Sequence, residues 1–308
     1  MSDGLPAVDP TPARVAAMLG DVADPDAVLG TVPPLFGELT ARGVATACVR
    51  AGAPPGALPV VLAAARACLA PDLNLLGVAT TTGTAAVALI VAGPVGVRLG
   101  LSHGTGLLGP GPHANGAVGR ALALALADAG GVRPGETTMA TTAQPARYTC
   151  CLAEDPDGPW GTLAARRGAP DSPADAVTVV PVGGTAEVLP REDLTDPDAV
   201  LAPLADALAG AVLAAGRLER GADLTQVLVL PPEVAARLAT TVGDPVRVLH
   251  ERGDAALRAR TGRDDLAVAR EIAPVVAGGP GVKMLHLPGW IGGSHAVTAP
   301  LREYLRPL

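Results

Sequence analysis

Reactive side chains are concentrated between Ser102 and Trp160, in a segment that is also rich in glycine and proline. Two histidines in this segment, His103 and His113, can act as general acids or bases, because the ordinary pKa of histidine lies near neutrality. Glu154 is a further group that could move a proton. A segment that only packs rarely needs so many special backbone positions beside so many reactive side chains. The segment therefore predicts an active site.

The loop SHGTGLLGPGPHANG, which precedes a predicted helix, has the composition of an anion-binding site. Glycines leave backbone N–H groups accessible, and the start of a helix favours negative charge. We expect Ser102, His103, Asn115 and Arg120 to bind a small carboxylate there, although a structural turn explains the glycines equally well. The loop contains neither a GxxxxGK[ST] sequence nor a convincing GxGxxG sequence, so a nucleotide site is not predicted.

The pair Cys150-Cys151 lies between Tyr148 and Glu154. Cys151 could be a nucleophile if a nearby base or positive charge stabilised its thiolate, with Tyr148 contacting the substrate. Alternatively, the two cysteines are small buried residues on a strand, one facing each side. Cys48 and Cys68 lie on predicted amphipathic helices and are expected in the core.

The C-terminal sequence GGPGVKMLHLPGWIGGSH forms a second cluster of glycines and functional side chains. Lys283 is the only lysine of the chain, and we expect Lys283 and His295 to contact the substrate, with Trp290 as a pocket wall. The alternatives are that Lys283 is simply exposed and that Trp290 fills a gap. The histidine spacing matches no metal-binding signature, so neither a metal nor a cofactor is predicted.

Composition excludes several classes of protein. The net charge of −7 and the lack of basic runs argue against a nucleic-acid partner. No apolar run is long enough to span a bilayer, and the first thirty residues do not resemble a signal peptide. Four cysteines, two of them adjacent and none in a CxxC repeat, indicate a reducing compartment, so we expect a cytoplasmic protein.

Apolar strand-like runs alternate with helical runs along the chain, which predicts an α/β fold. We expect a mixed or parallel sheet flanked by Ala/Leu-rich helices, in two related αβ lobes: 1–175 with the central glycine-rich motif, and 176–308 with the GGPG motif. Helices are predicted at 13–19, 33–52, 58–69, 118–129 and 199–218, and a strand at 176–182. The many apolar helices also predict a homo-oligomer.

An internal similarity supports the two lobes. The sequence VALIVAGPVGVRLGL resembles IAPVVAGGPGVKMLHL, since each has an apolar run, a glycine-proline turn and one basic residue. Chance similarity between two Ala/Val/Gly-rich sequences explains this equally well.

The run NGAVGRALALALADAGGVRPGETTMATTAQPARYTCCLAEDPDGPW is similar to a motif of an uncharacterised family usually encoded beside UGSC-motif (seleno)proteins. Further similarity lies at VPP, LPVVLAAARA, NLLG, AGP and AGGPG, so the resemblance covers most of the chain. The matching positions of the central motif are Asn115, Gly119, Arg120, Gly130, Gly131, Pro134, Gly135, Tyr148, Cys151, Glu154, Pro159 and Trp160.

The chain departs from this family pattern at several positions. Ala53 replaces a cysteine, His113 an arginine, Cys150 a tyrosine and Asp155 an asparagine. The resemblance therefore implies a divergent member, and it also implies a UGSC-type redox protein as a partner.

These observations favour a cofactor-independent acid–base enzyme of the lyase, cyclase or isomerase type, acting on a small anionic metabolite in a specialised bacterial pathway. In this interpretation His113 or Glu154 moves the proton. The alternatives are a partner subunit of a thiol or selenol redox protein, and a cysteine-dependent oxidoreductase.

Overall fold

The computed structural model describes residues 3–168, 175–191, 196–216, 218–220 and 223–302. Their helices are α1 Pro12–Leu19, α2 Ala41–Ala51, α3 Leu58–Ala67, α4 Leu75–Thr80, α5 Pro94–Arg98, α6 His113–Gly130, α7 Leu163–Arg166, α8 Asp198–Ala215, α9 Pro232–Thr241 and α10 Pro245–Thr261. Their strands are β1 Val28–Val32, β2 Gly37–Thr40, β3 Ala86–Ala92, β4 Cys151–Ala153, β5 Ala176–Val182, β6 Ala186–Val188, β7 Thr225–Leu230, β8 Glu271–Val276, β9 Met284–Leu287 and β10 Val297–Pro300.

Two four-stranded sheets share one pattern of pairing. The first has the order β10-β5-β3-β4 and the second the order β6-β9-β7-β8. In each, the first two pairings are antiparallel and the last is parallel. The strands β3, β4 and β5 thus correspond to β7, β8 and β9. The predicted α/β fold with mixed sheets is confirmed, and the shared pattern is what two related halves would produce.

The two sheets pack face to face, with helices on their outer faces. Because side chains alternate along a strand, each strand contributes to two hydrophobic clusters. Ile90 of β3 and Val229 of β7 meet in the cluster between the sheets. Leu89 of β3 faces the helices α2, α3 and α6, whereas Leu228 of β7 faces α8, α9 and α10. The order of layers is therefore helix, sheet, sheet, helix.

The edge strands are exchanged between the halves. Strand β6 follows β5 along the chain but pairs with β9 of the second sheet. Strand β10 follows β9 but pairs with β5 of the first sheet. Since β5 begins at Ala176 and belongs to the first sheet, the predicted division after residue 175 does not coincide with the division between the sheets.

Most local predictions agree with the elements, but residues 33–52 do not form one helix. Strands β1 and β2 pair as a hairpin, and helix α2 begins only after Thr40, whose side chain accepts a hydrogen bond from the N–H of Gly43. Phe36 in the turn has a φ of 55°, which a helix does not allow. The similarity between VALIVAGPVGVRLGL and IAPVVAGGPGVKMLHL would make β3 equivalent to β8. The strand order instead makes β3 equivalent to β7.

Within the described ranges, α8 is the one continuous helix whose length and apolar composition would suffice to cross a membrane. Leu58–Ala67 and Pro71–Thr80 have this length and apolar composition only together, and they are bent by 77° relative to each other. In this fold, α8 packs its buried face against the second core, and its Asp198 and Asp206 form ion pairs with arginines of α10.

Gly119 lets helix α6 approach strand β4 closely, and replacing it should destabilise the protein. A Cβ at Gly119 would lie 3.0 Å from the Cβ of Cys151 and 3.1 Å from the backbone nitrogen of Cys150. We expect Gly119→Ala to cost about 2 kcal/mol, because the backbone of the strand cannot move aside as a surface side chain can.

Gly116, one turn earlier on α6, provides the matched control. A Cβ there would have no neighbour within 4 Å. Gly116→Ala should therefore stabilise the protein by about 0.5–1 kcal/mol through helix propensity alone. Chemical denaturation measures both changes, and equal effects of the two substitutions would contradict the proposed close packing.

Candidate functional site

The candidate site lies where the parallel strands β3 and β4 end. In α/β sheets, ligands bind preferentially at the carboxyl ends of parallel strands. Glu154 directly follows β4, and Gly93 directly follows β3. A cavity of about 540 Å³ opens there. Its walls are formed by Gly93, Pro94, Gly96, Val97, Arg98, Leu101, His103, Ala153, Glu154, Pro156, Asp157, Gly161 and Thr162.

Glu154 is the buried acid of this cavity, with 3% of its surface exposed. Its Oε2 accepts a hydrogen bond of 2.7 Å from the N–H of Leu163. Its Oε1 is buried without a hydrogen-bond partner. Burial raises the pKa of Glu154 to about 7, although that hydrogen bond and the charge of Arg166 lower it. Glu154 can therefore gain or lose a proton near neutral pH.

Arg166 is the cation nearest to this carboxyl group. A terminal guanidinium nitrogen lies 3.7 Å from Oε1 of Glu154, which is too long for a hydrogen bond. The same nitrogen donates instead to the carbonyl of Pro274 in β8. The charge thus acts on Glu154 across a short gap and moderates the cost of ionising it.

The backbone at Glu154 joins the two sheets. The N–H of Glu154 donates to the carbonyl of Val91 in β3, at 2.9 Å. The next N–H, of Asp155, donates to the carbonyl of Val276 in β8, at 2.7 Å. The acid therefore lies directly after β4, where backbone hydrogen bonds tie the chain to both sheets.

His103 brings an imidazole to the same cavity, and the C-terminal glycine turn supports its loop. The carbonyl of His103 accepts a hydrogen bond of 2.7 Å from the N–H of Gly278. A Cβ at Gly279 would lie 2.1 Å from Oγ1 of Thr105, so only glycine allows this approach. The GGPG turn and the SHGTG loop are therefore in direct contact.

Asn115 and Ser102 hold the other end of this loop. The side-chain oxygen of Asn115 accepts from the N–H of Ser102, and its amide nitrogen donates to the carbonyls of Ser102 and Leu107. Asn115 is 2% exposed. Its hydrogen-bonding groups are used to shape the loop, so it supports the cavity wall and does not line it.

Arg98 lines the cavity and was not predicted as a site residue. Its guanidinium forms an ion pair with Asp175, and the other carboxylate oxygen of Asp175 accepts from the N–H of Val95. Asp157, Thr162 and Arg166 were also missed. The one usable sequence signal was the position of Arg98 shortly after a buried strand and a Gly-Pro turn.

Three predicted site residues of the central segment lie away from this cavity. The ring of His113 is hydrogen-bonded to the carbonyl of Gly52, at 3.0 Å. The guanidinium of Arg120 forms a bidentate ion pair with Asp3 and also donates to nearby backbone carbonyls. Tyr148 lines a different cavity.

Cys151 is buried in the core, and so are the other three cysteines. Cys151 belongs to the cluster beneath the helices and Cys150 to the cluster between the sheets, so the pair faces opposite sides of the strand. Burial raises the pKa of Cys150 to about 11 and that of Cys151 further. A thiolate is therefore strongly disfavoured at neutral pH at both positions.

The C-terminal side chains point elsewhere. Lys283 has a side chain that is 70% exposed, and its Nζ lies 4.0 Å from Glu187. Nε2 of His295 lies 2.9 Å from a carboxylate oxygen of Asp223, and His295 lines a polar cavity of about 240 Å³ with Arg167 and Glu271. Trp290 packs against Gly77 and Gly292. Only the glycine turn of this cluster reaches the Glu154 site.

Among the residues that the structure describes, no group of three or more His, Cys, Asp or Glu side chains is arranged to hold a metal ion. Comparison of the sequence with the models of known protein families finds no match, and comparison with curated proteins finds none either. The similarity to the family encoded beside UGSC-motif proteins stays a hypothesis.

Proposed function

We propose that the protein is a cofactor-independent acid–base enzyme, of the lyase, cyclase or isomerase type, which acts on a small anionic metabolite. The observation that carries this proposal is Glu154: a buried carboxyl group with a pKa of about 7 in the wall of a 540 Å³ cavity. A proton-transfer catalyst works best when its pKa lies near the operating pH.

Glu154 is the proton-transferring group in this proposal. The N–H of Leu163 holds one carboxylate oxygen, which fixes the orientation of the group. The unpartnered Oε1 is the oxygen left to take a proton from the substrate or return it, and the side chain must turn to expose this oxygen to the cavity, because it is buried in this structure. The positive charge of Arg166 stabilises the ionised Glu154 carboxylate from 3.7 Å and leaves Oε1 without a hydrogen bond.

His103 and Arg98 supply the complementary functions. The His103 ring can carry the second proton of a lyase or isomerase reaction, because it lines the same cavity as Glu154. Arg98 is the cation of the cavity wall, and its exposed side allows it to attract an anionic substrate while Asp175 keeps it in place.

The cysteine-dependent alternative receives less support. A nucleophilic or redox-active thiol requires an accessible thiolate, and both Cys150 and Cys151 are buried with raised pKa values. We therefore favour proton transfer over thiol chemistry.

Solvent-proton exchange tests the proposal across several classes of candidate substrate. The protein is incubated in D₂O with defined mixtures of α-keto, α-hydroxy and α-amino carboxylates, and ¹H NMR follows loss of the α and β proton signals. We expect the wild type to exchange or convert at least one compound. Glu154→Gln should slow this by about 10²–10⁴-fold.

The exposed Glu136→Gln serves as the control, since this side chain is 65% exposed and lies outside the cavity. It should leave the exchange rate unchanged. Exchange that survives Glu154→Gln but is lost when Cys151 is replaced by serine would refute the acid–base proposal and favour the thiol alternative.

A further inference from the structure

A second cavity, of about 320 Å³, lies apart from the Glu154 site. Its walls are formed by Asp3, Leu124, Ala127, Asp128, Val132, Pro134, Thr138, Ala140, Ala143, Gln144, Arg147 and Tyr148. The two cavities have no lining residue in common. Six of these twelve side chains are aliphatic and Tyr148 adds an aromatic ring, so the cavity suits a molecule with a hydrophobic body.

Arg147 places an uncompensated positive charge in the wall of this cavity. Its Nε donates to the carbonyl of Ala85, and its two terminal nitrogens donate to Oγ1 of Thr138 and the carbonyl of Val78. All three partners are neutral. Within the described part of the chain, no carboxylate lies within ion-pair distance of Arg147. Burial lowers the pKa of the Arg147 guanidinium, since no counter-ion offsets the cost.

The two acids of the cavity are neutralised by other arginines. Asp3 is paired with Arg120, and Asp128 is paired with Arg50. Burying a charge without a counter-ion is costly, so a cation held in this way gains free energy when an anion binds beside it. Arg147 uses three of its five N–H groups, which leaves one on each terminal nitrogen for a ligand.

We propose that this cavity is a binding site for a small carboxylate with an apolar body. The carboxylate pairs with the Arg147 guanidinium, and the apolar part lies against Leu124, Val132 and Ala140. Tyr148, whose residue surface is 47% exposed, supplies a phenol at the same cavity. A smaller cavity of about 120 Å³ has Val132 and Arg147 in its wall as well, so the guanidinium lies between two cavities.

Ligand-observed NMR tests this site with hexanoate as the probe and hexan-1-ol as its uncharged counterpart. We expect the wild type to bind hexanoate at least tenfold more tightly than hexanol, which corresponds to about 1.4 kcal/mol. Arg147→Gln should remove this preference. The control Arg133→Gln changes a nearby exposed arginine outside the cavity and should keep it.

Arg147 also supports the chain locally, so a second variant keeps the test decisive if Arg147→Gln does not fold. Ala140→Trp fills the cavity and leaves the arginine at position 147 unchanged, and it should abolish binding of both probes. Equal binding of hexanoate and hexanol by the wild type, absence of binding, or binding that survives Ala140→Trp would overturn the proposal. Glu154→Gln should bind hexanoate as the wild type does, which separates this site from the proposed catalytic one.

Discussion

Glu154→Gln should make the protein more stable at pH 8, by up to about 3 kcal/mol, while it removes the proposed proton transfer. The folded protein raises the pKa of Glu154 from 4.5 to about 7, because burial disfavours its charged form. The favourable contribution of the protonated acid is complete below pH 4.5, and it is lost as the pH rises through 7. Glutamine keeps the shape and carries no charge to bury.

The pH dependence distinguishes this effect from a general change in packing. The two proteins should have similar free energies of unfolding at pH 4, and their difference should grow between pH 4.5 and 7. The exposed Glu136→Gln should show no such trend. If Glu154→Gln is instead less stable than the wild type at pH 8, the attraction of the carboxylate to Arg166 outweighs the cost of burying its charge, and the pKa of Glu154 is not raised.

Protonation of His286 should cost the wild type about 3 kcal/mol of stability as the pH falls from 6.5 to 4, and His286→Gln should not show this cost. His286 is 2% exposed, and burial lowers its pKa from 6.5 to about 4. The neutral ring thus contributes stability that is complete above pH 6.5 and is lost as the pH falls through 4.

The hydrogen bonds around His286 fix which nitrogen carries the proton. The amide nitrogen of Gln226 donates to the carbonyls of Leu208 and Val268, so its oxygen must accept from Nε2 of His286, at 2.6 Å. Glutamine at position 286 can donate to the same oxygen without titrating. A variant whose acid sensitivity equals that of the wild type would show that His286 is not buried as a neutral ring.

Glu154 and His286 act with opposite sign over nearly the same pH range. Their contributions should largely cancel in the wild type between pH 4.5 and 6.5. In Glu154→Gln the pH dependence of stability from His286 becomes visible, and in His286→Gln that from Glu154 does. Subtracting the wild-type free energy of unfolding at each pH cancels the contribution of the surface carboxylates, which all three proteins share. Denaturant titrations at several pH values measure all three proteins.

The sequence predicted the helices and strands well where the hydrophobic pattern was strong. Strand β5 was predicted with its observed bounds, and the helix–strand alternation indicated the α/β class. The hairpin of β1 and β2 was missed, since its pairing and the conformation of Phe36 depend on contacts with helix α6. The pairing of β6 with β9 and of β10 with β5 depends on strand order, which the local pattern does not encode.

The candidate site was predictable to a lesser extent. Glu154 and His103 were identified because reactive side chains occurred beside glycines. Arg120 and His113 were grouped with them by proximity in sequence, but helix α6 turns them toward the N-terminal segment and Gly52. Arg166 and Arg98 were missed, since their positions near the cavity follow from contacts with residues distant in sequence, Pro274 and Asp175. Spacing along the chain identifies which residues could react, while the tertiary fold decides which of them meet.

The exchange of edge strands determines which parts of the fold can form while the chain is still being synthesised. Strand β5 receives its second neighbour only from residues 297–300, and the N–H of Leu301 donates to the carbonyl of Asp175. Asp175 in turn holds Val95 and Arg98 at the cavity wall. A nascent chain that ends before residue 297 can form the core of the first half but leaves β5 as an open edge. The last backbone contact to Asp175, which supports the cavity wall through Arg98, therefore forms only after residue 301 has left the ribosome.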